Sequence, residues 1–195
     1  SGRAVARGFP VDLALGTFDY LELHTSAGHF TNTAKVWHKA LNCGFKVTAS
    51  AGEDSILSLH ATPILGSSRL YAYLGQKLDW GLWQQAIQRG RTFVTNGPLL
   101  RLEVDGHMPG DEIRLAADGG SVGVEASVDS IVPLEKLELF FNGQPIETVA
   151  LNGSKRGVLS KRINIQTSGW LTLRASNSKP QHPIDDSYIV GETSP

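Results

Sequence analysis

The sequence contains one cysteine and one methionine among 195 residues. Cys43 therefore has no internal disulfide partner and no second thiolate with which to build a metal site. It follows an apolar helical stretch and precedes Gly44, which predicts packing rather than nucleophilic chemistry. Charge of one sign is also missing, since 18 Lys and Arg face 19 Asp and Glu for a formal net charge of −1. No basic run stands out, and this argues against nucleic acid as a partner. No apolar stretch reaches the roughly 18 residues of a membrane span. Ser1-Gly2-Arg3-Ala4 lacks the apolar region of a signal peptide, although a leader already removed would leave the same start. A periplasmic or secreted setting is favoured over a cytoplasmic one. There is no G-x-S-x-G elbow, P-loop, H-x-H or HExxH spacing.

What is present is an ordinary globular composition, 41% hydrophobic and 19% charged, in two stretches of different pattern. Residues 1–98 alternate strand-like and helix-like segments. Asp19–His24, Phe45–Ala51 and Arg69–Leu74 read as strands. Ala34–Leu41 reads as a helix with Ala34, Trp37, Ala40 and Leu41 on one face and Gly44 at its end. A second helix starts at the N-cap Asp79, buries Leu82, Trp83, Ala86 and Ile87, and ends at Gly90. Strands separated by helices predict a parallel α/β arrangement.

After Asn96-Gly97-Pro98 the pattern changes to strict alternation. Leu100–Val104, Val122–Val128, Leu137–Phe141, Val158–Ile165 and Trp170–Ala175 read as strands with one wet face. Asp105-Gly106, Asp118-Gly119-Gly120, Asn142-Gly143 and Asn152-Gly153 supply turns between them. This grammar predicts an antiparallel β-sandwich over 99–195. Tyr188–Pro195 is expected to stop without a closing strand, so the sandwich is predicted to lack its last one. Trp37, Trp80, Trp83 and Trp170 fit apolar positions.

In Val47–Ser55 a strand of small residues runs into Gly52 and the acids Glu53 and Asp54. Catalytic groups of α/β barrels sit at the C-terminal ends of strands. A carboxylate there can hold a cation, because the strand fixes its oxygens while the cavity stays open. A solvated loop with a capping acid has the same pattern. His24 ends the Tyr20–Leu23 strand and occupies the same kind of position as Asp54. His29 and His60 fall in loops near those ends. His38 is expected at the surface, and His107 and His182 lie in turns without partners.

Leu41-Asn42-Cys43-Gly44-Phe45, Ala49–Ser55, Ser68–Tyr73 and Gly90-Arg91-Thr92-Phe93-Val94-Thr95-Asn96-Gly97-Pro98 occur in this order and spacing. They resemble the PHP-superfamily metallohydrolases of the carbaryl-hydrolase-like branch. Pro10–Gly16 with Asp19–Glu22 fits the same family, and Pro109-Gly110-Asp111-Glu112 resembles the start of its C-terminal module. The resemblance covers the first 115 residues well and the rest loosely. It implies the C-terminal remnant of a PHP-type (β/α) barrel over 1–98, followed by an Ig-like antiparallel β-sandwich over 99–195.

The implied activity is hydrolysis of ester, amide or phosphoester bonds in a small-molecule substrate by metal-activated water. The metal would be zinc, manganese or iron in the intact protein. The family's strand-end acid appears as Gly-Thr-Asp, so the ligand maps to Asp54. Glu53 replaces the threonine and adds charge beside it. The remaining family ligands belong upstream of residue 1. The chain therefore supplies Asp54 and His24 alone, holds no metal stably and is inactive in isolation. A cut barrel exposes strand edges, which predicts self-association through the α/β half. The alternative is a non-catalytic β-sandwich binding or structural module with a degenerate α/β domain. An exposed Trp or Tyr stripe would favour binding, and a buried one packing.

Overall fold

A computed structural model describes residues 8–24, 29–56, 63–75, 77–184 and 187–195. Three helices are present among them, α1 (Phe9–Leu15), α2 (Phe30–Asn42) and α3 (Trp80–Gln88). The strands are β1 (Tyr20–His24), β2 (Thr48–Ala51), β3 (Arg69–Ala72), β4 (Thr92–Thr95), β5 (Leu99–Val104) and β6 (Gly120–Asp129). They continue with β7 (Lys136–Phe141), β8 (Gln144–Ala150), β9 (Arg156–Ile165), β10 (Leu171–Asn177) and β11 (Ile189–Thr193). Most are antiparallel, and no barrel is closed among the described residues.

The strands form three layers. A three-stranded sheet, β5-β6-β9, faces a six-stranded antiparallel sheet ordered β3-β4-β11-β10-β7-β8. Leu100, Leu102, Val122, Val124, Leu137, Leu139, Leu173 and Ile189 share the apolar core containing both sheets. Behind the six-stranded sheet lies a second core, where Leu23 of β1, Phe30, Ala34 and Trp37 of α2, and Ala49 of β2 meet Val94 and Val190. Alternation along a strand sends Phe93 and Ile189 to one core and Val94 and Val190 to the other.

This layering corrects two expectations. Among the described strands only β1 and β2 pair in parallel, whereas β3 pairs antiparallel with β4. The six-stranded sheet therefore takes β3 and β4 from before residue 98 and the rest from after it. The C-terminal segment does form a strand: β11 lies between β4 and β10, and all five of its residues are buried. A strand covered on both faces has no wet side and gives no alternation to read.

Local chemistry accounts for the element ends. His29 caps α2, its Nδ1 accepting from Thr31 N–H at 3.3 Å. Asp79 caps α3 through Leu82 N–H at 3.1 Å. Asn142 and Gly143, with φ of 50° and 81°, turn β7 into β8, as a two-residue hairpin requires. α1 has Pro10 in its first turn and Gly16 in the left-handed position after its end, both ordinary helix signals that the periodicity reading passed over.

Four side chains depart from expectation, one of them Leu82 of α3, which is exposed rather than in the buried stripe. Cys43 is exposed, because α2 ends there and the chain turns away at Gly44. Trp80 is 69% exposed and stacks on Trp83 at 4.9 Å, while only Ala86 and Ile87 of α3 are buried. His38 is 8% exposed rather than at the surface. Its face of α2 lies on the six-stranded sheet, where Nε2 meets Glu192 Oε1 at 2.9 Å.

Glu192 is fully buried. Arg174 Nε and Nη2 donate to its Oε2 at 2.9 and 2.7 Å, and Thr172 Oγ1 donates to Oε1 at 3.1 Å. The Arg174 guanidinium lies 4.4 Å from the Phe140 ring centre and 5.4 Å from that of Phe30. Burial pushes the Glu192 carboxyl up, but the Arg174 charge and the His38 contact outweigh it. The group is held below its ordinary range.

Tyr73, just past β3, donates its hydroxyl to Leu100 O at 2.6 Å. Burial pushes the phenol from 10.0 up to about 12, against a lowering by Arg101 and with a smaller push from Glu103. An unfolded chain would ionise at the ordinary value while the folded one resists, so stability should fall as pH rises from about 10 to about 12. Tyr73→Phe should remove that fall, at a cost of about 0.5–1.5 kcal/mol at neutral pH. Urea titrations of both proteins across the alkaline range check it, and equal slopes would refute it.

Candidate functional site at the ends of two parallel strands

β1 and β2 run side by side in parallel, Tyr20 opposite Thr48 and, after a one-residue register shift between Glu22 and His24, His24 opposite Ala51. Both C-terminal ends therefore emerge on one side, and Gly52 N–H closes the pair by donating to His24 O at 2.9 Å. β2 is held from its other flank by hydroxyls. Thr48 Oγ1 donates to Ile87 O at 2.7 Å, and Ser194 Oγ accepts from Ala49 N–H at 3.1 Å. A Cβ at Gly52 would meet the Glu22 carboxylate, so any side chain there requires that exposed carboxylate to move aside.

His24 is 2% exposed at the last position of β1. Its ring is tilted against Phe30 and Tyr188, each with centroids 5.8 Å away. Ser68 Oγ lies 2.8 Å from His24 Nδ1. Asp54, three residues past β2, is exposed and has φ of 54°, a left-handed conformation that Asp tolerates better than most residues. Glu53 is half-buried and engaged: Oε1 accepts from Ser68 N–H at 3.1 Å, and Oε2 lies 3.2 Å from Ser55 Oγ. Ser55 Oγ also donates to Pro63 O at 2.7 Å.

Of the other histidines, His29 lies tilted against Tyr188, with ring centroids 4.3 Å apart. His60 lies outside the described residues. His38 belongs to the Glu192 cluster. His107 Nδ1 is 3.9 Å from Asp111 Oδ2, and His182 is exposed. Sequence reasoning missed Ser68 and Tyr188, which reach His24 from distant segments. The Ser68-Arg69 start of β3 was legible as a motif, but its contact with β1 was not.

An imidazole and a carboxylate on neighbouring strand ends are donor types that zinc, manganese and iron accept. Catalytic ions generally take three protein ligands. No group of three or more His, Cys, Asp or Glu among the described residues could hold a metal ion. His24 and Asp54 are donor types that such an ion accepts, but together they make no metal site among the described residues.

An open cleft of about 1320 Å³ lies elsewhere, between the end of α2, residues 107–117 and the turn before β10. None of His24, Glu53, Asp54 or Ser68 lines it. Its rim pairs, Lys46 with Glu112 and Trp170 Nε1 with Asn42 Oδ1, already satisfy one another. The cleft's His107, Asp111 and Glu112 pair with one another, Arg91 or Lys46, whereas the strand ends carry the sequence-predicted His24 and Asp54. No described helix is long and apolar enough to cross a membrane. Comparison with protein-family models, curated proteins and solved structures gives no match for this chain.

Proposed function

We propose that this chain is the C-terminal part of a PHP-type, metal-dependent hydrolase of the carbaryl-hydrolase-like branch, with an Ig-like sandwich following a barrel remnant. The observation that carries the reading is the parallel β1–β2 pair, whose C-terminal ends present His24 and the Gly52-Glu53-Asp54 turn side by side. Such ends are where (β/α) barrel enzymes place their catalytic groups. When bound in the intact protein, the metal would supply an activated water for attack on an ester, amide or phosphoester. Asp54 and His24 would contribute ligands, and the others would come from upstream sequence.

The test is the metal content of the longer protein. Zinc, manganese or iron is expected near one equivalent, and Asp54→Ala should weaken its retention by an order of magnitude or more. Unchanged occupancy in Asp54→Ala would remove it as a ligand. Metal-free longer protein would remove the hydrolase reading.

The second reading, a sandwich that serves packing rather than catalysis, draws on Trp170. Its ring packs on α2, against His38 at 4.9 Å and Trp37 at 6.3 Å, although its edge also lies on the cleft rim. This favours a structural role for residues 99–195 over carbohydrate recognition.

A further inference from the structure

We propose that the cleft between the α/β half and the sandwich binds a small amphipathic carboxylate, its apolar body on Phe45, Ile113, Phe141 and Leu171 and its head in the cationic rim of Arg89 and Arg114. The proposal goes beyond the hydrolase reading and does not rest on it, since His24, Glu53 and Asp54 are no part of the cleft wall.

The cleft, of about 1320 Å³, lies where residues 41–48 and 88–90 meet residues 102–122 and 165–171. Junctions between two units are common ligand sites, and this one has room for a molecule of drug size. One wall is the segment 107–117, which close backbone contacts hold at both ends. A Cβ on Gly110 would lie 1.9 Å from Arg89 O, and one on Gly119 would lie 2.2 Å from Ile165 O. Gly110 N–H also donates to Pro195 O at 2.7 Å. A wall tied down in this way is preorganised, and preorganisation lowers the cost of binding.

Phe45, Ile113, Phe141, Ile165 and Leu171 line the cleft and are half-buried. Water against these side chains is released when an apolar tail covers them. Charge selects the head group. Lys46 bonds Glu112, and Asp111 takes Arg91 at 2.9 Å with His107 at 3.9 Å. Both carboxylates of the wall are thereby engaged. Arg89 and Arg114 line the cleft as well, and neither side chain makes a hydrogen bond or ion pair among the described residues. Glu112 feels Arg114 at longer range, but its contact goes to Lys46. The rim therefore carries cationic charge in excess. A guanidinium offers paired N–H donors that match a carboxylate, whereas a cationic head would meet like charge.

Titrating the 195-residue chain with dodecanoate, followed by backbone amide NMR below micelle-forming concentrations, tests this. Saturable binding is expected with a Kd of about 0.1 mM, an ordinary efficiency for a ligand of that size. Amides of residues 44–47, 111–116 and 166–171 should shift, and those of 24 and 52–54 should not. Dodecyltrimethylammonium has a similar tail and the opposite charge, and should bind about tenfold more weakly. Acetate, a head without a tail, should give no shifts at the same concentrations. The double variant Arg89→Gln with Arg114→Gln, at two exposed positions, should weaken dodecanoate about tenfold. Leu115→Asp, on the cleft wall and 38% exposed, should weaken it as well. Shifts centred outside the cleft, or no saturation at tenfold the expected Kd, overturn the site. Equal binding of the anionic and cationic probes overturns the carboxylate head, and this comparison decides even if a variant does not fold. Shifts from acetate alone, or an unchanged Kd in Leu115→Asp, overturn the apolar body. An unchanged Kd in the double variant overturns the role given to the two arginines.

Discussion

Replacing Arg174 with alanine should cost about 3–5 kcal/mol of stability at neutral pH, the penalty for leaving a buried charge without its counter-charge. Glu192 is fully buried, and two of its four recorded hydrogen bonds come from the Arg174 guanidinium. His38 and Thr172 would remain on Oε1, leaving Oε2 without a donor among these contacts. The dependence on pH has a definite sign. In the wild type the folded carboxyl is held below its ordinary range, so its contribution is present at neutral pH and lost as pH falls through the folded value. In Arg174→Ala the burial effect is less opposed, the folded carboxyl rises, and protonation relieves it. The deficit relative to wild type should therefore shrink on acidification. Urea unfolding of both proteins between neutral and acid pH measures this. A deficit that grows as pH falls would contradict the assignment. Replacing Arg174 and Glu192 together with leucine should recover much of the loss, because burying the pair also carries a desolvation penalty.

Trp37→Ala should be of similar size, about 3–5 kcal/mol, as for large core aromatics generally. Trp37 is fully buried in the core behind the six-stranded sheet, and its Nε1 donates to Val47 O at 2.7 Å. Trp37→Phe keeps much of the volume but strands that carbonyl, for about 1–3 kcal/mol. The two cores lie on opposite faces of one sheet, so the effect should be uneven. Amides of β1 and β2 should lose exchange protection in Trp37→Ala well before those of β6 and β9, whose apolar residues pack in the other core. Uniform loss of protection would mean that the two cores unfold as one.

Legibility followed the environment of each segment. β5, β6, β7, β9 and β10 were readable because each has alternating residues turned toward one sheet-to-sheet core. β11 was not, because Ile189, Gly191 and Thr193 turn to one face and Val190 and Glu192 to the other, and both faces are covered. β8 was missed because it is an edge strand with Pro145 near its start and mostly exposed side chains. His38 was misread for a related reason: the helix pattern marks Ala34, Trp37 and Leu41 as apolar, but a polar residue beside them stays buried when a carboxylate waits opposite. That carboxylate is 154 positions away.

The sequence by itself determined the strand and helix chemistry, the Asn142-Gly143 turn, the Asp79 cap and the candidate pair His24 and Asp54. These depend on near neighbours along the chain, where period, cap and turn preferences act directly. Only the tertiary structure decided that β3 and β4 join the later strands in one sheet, that His24 meets Ser68, and that Glu53 holds Ser68 rather than facing solvent. Each is a contact between distant segments, set by which apolar faces cover one another, and no local pattern in the residues encodes that choice.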